Sequence, residues 1–157
     1  MTAPELLGPA EVFRWASGLA LIGWAMLAAA ACCGHGAPRQ RWLHAGGVGL
    51  PLILCGLYAI TLVQHWSSAP GGHFGSLSGV VTLFASPGKL LGGWIHFLAF
   101  DLLVGGWVVR RVLATGQPRW LLCAVLPLLF MFGPVGWLVY GAASVRHVRG
   151  ARLRVRA

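Results

Sequence analysis

Trp120–Val145 reads WLLCAVLPLLFMFGPVGWLVYGAASV, 26 residues without one charged side chain. A bilayer-spanning helix needs about 20 consecutive apolar residues, so the run is long enough to cross. Pro127 and Pro134 interrupt it, and Gly133 and Gly136 flank the second proline. Proline cannot donate to the helix ladder and crowds the preceding turn, which predicts a kink or break at Pro134. Irregular backbone at that depth survives only against protein or a cavity.

Three more apolar runs precede it. Trp15–Cys33 and Ala45–Gln64 carry no charge, and Leu90–Val109 carries only Asp101. The chain of 157 residues is 57% hydrophobic and 10% charged, with mean hydropathy +0.75, whereas soluble domains hold about a quarter charged residues. The expected fold is all-α, an integral membrane four-helix bundle with its last helix kinked or broken at Pro134. It forms a single domain over 1–157, with spans at about 15–33, 45–64, 90–109 and 120–145. The 66–89 connection is too long for a turn and too apolar for a linker. Val80–Ala85 suits a short helix, and the segment is expected to lie back on the bundle as a lid or an interfacial element. Met1–Phe13 lacks a basic stretch and carries Glu5 and Glu11, which argues against a cleaved signal peptide.

If the N-terminus lies on side A, four crossings put Arg39, Arg41, Arg110, Arg111 and Arg119 on side B. Arginines beside spans set topology and attract anionic lipid, so side B is expected in the cytoplasm. Nucleic acid is excluded as a partner, because the net charge of +9 is spread over span ends rather than over a soluble face. The tail from Arg146 to Arg156 would then lie on side A with five more arginines, against the positive-inside rule. Trp15, Trp66, Trp94 and Trp137 fall toward side A, and Trp42, Trp107 and Trp120 toward side B, as interfacial belts do.

Asp101 is one of three acidic residues and lies near the centre of its span. A carboxylate there costs roughly 2.5–3.5 kcal/mol on insertion scales and marks a functional candidate by default. His96 sits on the same helix, turned roughly 140° away at 100° per residue, so the two form no ready-made dyad. Gly92, Gly93 and Ala99 flank His96 and suggest a tight helix contact there. Tyr58, Thr61 and His65 share one face of the second span, and with Arg14, Ser17 and Tyr140 they predict a pocket open to side A with Asp101 at its floor. Trp94, Phe97 and Phe100 with Phe130, Phe132, Trp137 and Tyr140 would wall a long apolar slot. His35, His44, His65, His73 and His96 are scattered, and Cys32, Cys33, Cys55 and Cys123 show no paired metal spacing, so no metal or other cofactor is expected.

Trp94-Ile95-His96, four residues, then Asp101-Leu102 resembles the third-span signature of the abscisic-acid-deficient-four family. FGSLSGVVTLFASPG (74–88) is similar to the segment that precedes this signature, and FGPVG (132–136) to the break in the family's last span. The resemblance covers roughly 74–140. It implies carotenoid metabolism, with a carotenoid or other long apolar ligand as partner. Converting an epoxide to an allene needs one acid and one base held apart, and the resemblance casts Asp101 as acid and His96 or His65 as base. Eleven arginines against one lysine, with much Ala and Gly, suggest a GC-rich bacterial genome and hence a bacterial inner membrane, with another carotenoid reaction equally open. Two other classes remain: a non-enzymatic carotenoid or lipid binder, and a small proton-coupled transporter, which at this length would require a homodimer.

Overall fold

The computed structural model describes residues 8–34 and 36–156, with side chains to His147. Glu5, His35 and the side chains of the tail arginines beyond Arg146 lie outside the described residues. The fold is all-helical. Helix α1 is Pro9–Cys32, α2 Ala37–Gln64, α3 Leu77–Phe84, α4 Pro87–Ala114 and α5 Trp120–Arg156. Pro9, Pro38 and Pro87 each stand in a first helical turn, where the missing N–H is no loss. By length and composition, α1, α2 and α5 are apolar enough to cross a membrane. With the 28-residue α4, four long helices make up the bundle, the last of them broken beside Pro134, as the sequence predicts.

Helix α4 is the axis of the molecule and touches every other helix. Its buried face runs through Leu91, Ile95, Leu98, Leu102, Val109 and Val112. One short stretch sets how closely the helices approach. Pro51 cannot donate to the α2 ladder, and the turns just before it widen into a π-helical segment, Ala45–Gly49. The guanidinium of Arg110 on α4 donates to the Gly47 and Leu43 carbonyls, each at 3.4 Å. Gly46 and Gly47 lie on this segment and let α1 and α4 come to backbone contact. A Cβ on Gly106 would stand 2.6 Å from the Gly47 Cα, and one on Gly46 2.8 Å from the Gly23 carbonyl. Small residues do this at helix crossings inside membranes. Gly106→Ala is therefore expected to destabilise the bundle by about 1–3 kcal/mol, the range of overpacked cores. Gly56→Ala, which meets nothing within 4 Å, should leave thermal unfolding in detergent unchanged.

The expected run of the chain after the break is corrected by the structure. Phe132 is non-helical, with φ −141° and ψ 62°, and the chain there reverses instead of continuing to side A. Gly136 is pressed so closely on Leu129 that a Cβ would stand 2.8 Å from the Leu129 Cα, although residues seven apart in one straight helix are separated by about 10 Å. Trp137 then packs on Trp107 at 5.2 Å between centroids, and Tyr140 on Trp107 at 5.7 Å. Ser144 hydrogen-bonds to Gln117 at 3.2 Å, in the loop that joins α4 to α5. Helix α5 is thus a hairpin of two arms whose tip meets α4 at mid-height and whose ends both lie at side B. Trp137 and Tyr140, expected toward side A, stand in the side-B half. The physical reason is local: the glycines at 133 and 136 permit the tight tip, and Pro134 fits the first turn of the second arm.

Candidate functional site

Three features of α4 and its neighbours decide the site. Gly88 admits the ring of His65, which caps the end of α2, and Gly92 lies 3.9 Å from Tyr58 by its would-be Cβ. This stripe of glycines brings α2 against the side-A end of α4. One turn further along, His96 is exposed rather than held in the tight helix contact the sequence suggests. Its ring stacks on Phe100, four residues on, at 4.5 Å and 25° between planes, and tilts against Tyr58 at 5.5 Å.

His96 opens into a cavity of about 620 Å³, lined also by Tyr58, Leu62, Trp66, Phe74, Leu83, Phe84 and Lys89. The 66–86 connection forms the outer wall. Its shape is fixed by Ser76, whose hydroxyl accepts from the Gly79 amide at 3.1 Å and caps α3. The His73 amide donates to the Gly79 carbonyl at 3.2 Å, and the Ser68 and Ser86 hydroxyls pair at 2.8 Å. Phe84 rests on Gly93 of α4. The Lys89 ammonium lies 5.1 Å over the Trp66 ring centroid, a cation–π distance. An imidazole, a phenol and an ammonium therefore border one apolar-walled chamber at the side-A end. Such groups can exchange a proton with an oxygen of a guest whose bulk lies against the aromatic walls.

The remaining candidates are dispersed. Thr61 is buried, and its hydroxyl donates to the Leu57 carbonyl at 2.8 Å. His65 packs on Gly88 and does not line the chamber. Trp94 donates to the Ser17 hydroxyl at 3.1 Å and, with Phe97, lines a separate cleft of about 590 Å³ against Phe13 and Phe84. Arg14 pairs with Glu11 at 3.7 Å. Phe132 is exposed at the hairpin tip, and Trp137 and Tyr140 are engaged with Trp107. The aromatic residues expected to wall one slot thus belong to several separate places.

Asp101 is not the floor of the His96 chamber. It faces the hairpin tip, where any side chain at Gly133 would strike its carboxyl group. Its Oδ2 is buried without a hydrogen-bond partner among the described residues. It stands beside the start of the second arm, where helix N–H groups lack internal partners and the dipole end is positive. His96 and Asp101 therefore serve different faces of α4. Lys89 and Trp66 went unnoticed in the sequence as site residues. The available signal was the seven-residue spacing from Lys89 to His96, which puts both on one helix face.

Among the described residues, no three His, Cys, Asp or Glu side chains gather as a metal site. A family model described as ABA DEFICIENT 4-like matches residues 11–140. No curated protein and no solved structure matches the chain.

Proposed function

We propose that the protein modifies a carotenoid by acid/base chemistry in the side-A chamber, from the premise that the chain belongs to the ABA DEFICIENT 4-like family. Membership makes it a membrane protein related to carotenoid and neoxanthin metabolism. The observation that carries the finer reading is the exposed His96 imidazole, with Tyr58 and Lys89, in a chamber of about 620 Å³. An oxygenated end ring is the polar part of a carotenoid and sits at the membrane surface, while the polyene lies among acyl chains. The chamber has the matching polarity, with ionisable groups inside and aromatic walls leading out.

The reaction class is isomerisation or a comparable rearrangement. For an epoxide ring, an acid protonates the oxygen as the C–O bond opens, and a base removes a proton from the adjacent carbon. Atoms are conserved and no oxidant is needed. His96 is the proposed base, and Tyr58 or Lys89 the proposed acid. Asp101 is assigned to positioning the hairpin tip. The same reading takes the protein as a multi-pass protein of a bacterial inner membrane.

One observation favours a second reading, carotenoid binding without turnover. The His96 ring is held by aromatic contacts, stacked on Phe100 and tilted against Tyr58, whereas a general base is commonly oriented by a hydrogen bond. Co-expression with carotenoid pathways, followed by chromatography of the pigments, separates the two. Turnover gives a new pigment peak of unchanged mass for an isomerisation. Purified protein that carries pigment but never alters it leaves binding alone.

A further inference from the structure

We propose that the cleft between α1 and the first arm of α5 holds one acyl chain of an anionic phospholipid, with the headgroup phosphate on Arg119. The proposal stands independently of the carotenoid reading. The cleft measures about 640 Å³, within the ~300–1,000 Å³ of small-ligand sites. Ala28 and Ala31 of α1 and Leu126 of α5 are among its walls, Trp24 and Phe130 close its inner end, and Arg119 stands at its mouth. The inner closure is firm, because the Trp24 and Phe130 rings meet edge to face at 5.7 Å and Trp24 also presses on Gly105 of α4.

Depth argues for an acyl chain. From Arg119 to Phe130 the helix rises about 16 Å, roughly half of a ~30 Å hydrocarbon core. The cleft thus starts at the side-B surface and stops at mid-membrane, the reach of one chain from one leaflet. A polyene of bilayer length would run into Trp24 and Phe130.

Charge argues for an anionic headgroup. Arg119 is the one charged residue lining the cleft. One of its terminal nitrogens donates to the Cys33 carbonyl at 3.1 Å, which holds the guanidinium across the mouth. No carboxylate pairs with it among the described residues, where the sole ion pair joins Arg14 to Glu11 at the other end of the bundle. The reversal of α5 adds Arg146 to the side-B end, beside Arg39, Arg41, Arg110 and Arg111. Anionic lipid concentrates beside such a surface, and a guanidinium fits phosphate oxygens in a fork.

The full-length protein is reconstituted in vesicles of equal phosphatidylglycerol and phosphatidylcholine and re-extracted in mild detergent. Retained lipid is counted by native mass spectrometry. A single phosphatidylglycerol per chain is expected, with little phosphatidylcholine. Arg119→Gln should lower retention roughly ten-fold, the effect of losing one charge-assisted hydrogen bond, and Arg119→Lys should restore most of it. Ala28→Phe, at an exposed wall position, should abolish retention with Arg119 intact. Cys123 lines the cleft and is free, so in wild-type protein its alkylation should be slower in phosphatidylglycerol than in phosphatidylcholine vesicles. Equal retention of both lipids, retention indifferent to Arg119→Gln, or a polyene in place of phospholipid would each overturn the proposal. So would Cys123 alkylation that ignores headgroup charge.

Discussion

A reporter fused after Ala157 is expected to read the same membrane side as one inserted at Gly116, and the opposite side from one placed ahead of Pro9. A chain that crossed four times would give the reverse, with both termini on one side. The expectation rests on three contacts that a straight fourth span cannot make: Gly136 on Leu129, Trp137 on Trp107, and Ser144 on Gln117. The first arm, 120–131, and the apolar part of the second, 133–145, are each about 18–20 Å long at helical rise, well short of a ~30 Å core. The tip therefore stops at mid-membrane, where irregular backbone must be covered by protein, and Asp101 of α4 is what covers it. The topology also removes a conflict in the charge distribution. With the chain turned back to side B, Arg39, Arg41, Arg110, Arg111, Arg119 and Arg146 share that end against Arg14 and Lys89 at the other, and the positive-inside rule then points one way, to a cytoplasmic side B. Cysteine introduced at Ser144 should be labelled by a membrane-impermeant maleimide from the cytoplasmic face. Labelling from the opposite face would refute the hairpin.

Much of this architecture is legible in the residues. Apolar run length and scarcity of charge give an all-helical membrane protein, prolines in first turns mark helix starts, and Gly133-Pro134 marks the break. The direction taken after the break is not legible, because hydropathy records how much of a run is apolar and not which way it turns. A 26-residue apolar run satisfies a span and a hairpin equally. What separates them is how residues 129 and 136 pack across the tip, a contact that no periodicity encodes. The site shows the same limit. The roughly 140° between His96 and Asp101 is a property of helix geometry and is visible in the sequence. Which neighbour stands on each face is not, and the structure gives Tyr58 and the 66–86 connection to His96 but the hairpin tip to Asp101. Thr61 looked like part of a polar stripe, yet a hydroxyl in a helix can return to its own backbone, as this one does.

That division of α4 into two faces predicts unequal consequences for its two ionisable residues. His96→Phe preserves the aromatic stack on Phe100 and the contact with Tyr58 while removing both nitrogens, so the folded protein should survive. Carotenoid conversion should fall by about 10²–10⁴-fold, the usual contribution of a general acid or base. Asp101→Asn keeps the shape that fits against Gly133 and one acceptor oxygen, and removes the ability to ionise. Conversion should then stay near the wild-type level in protein that unfolds at the same temperature. A Gly133→Ala change, which forces a methyl onto the Asp101 carboxyl, should instead lower the unfolding temperature. The outcome that reverses the assignment is sharp: folded Asp101→Asn without conversion, beside His96→Phe with full conversion, would move the chemistry from the side-A chamber to the hairpin tip. Pigment chromatography with a parallel melting curve for each variant distinguishes loss of chemistry from loss of fold.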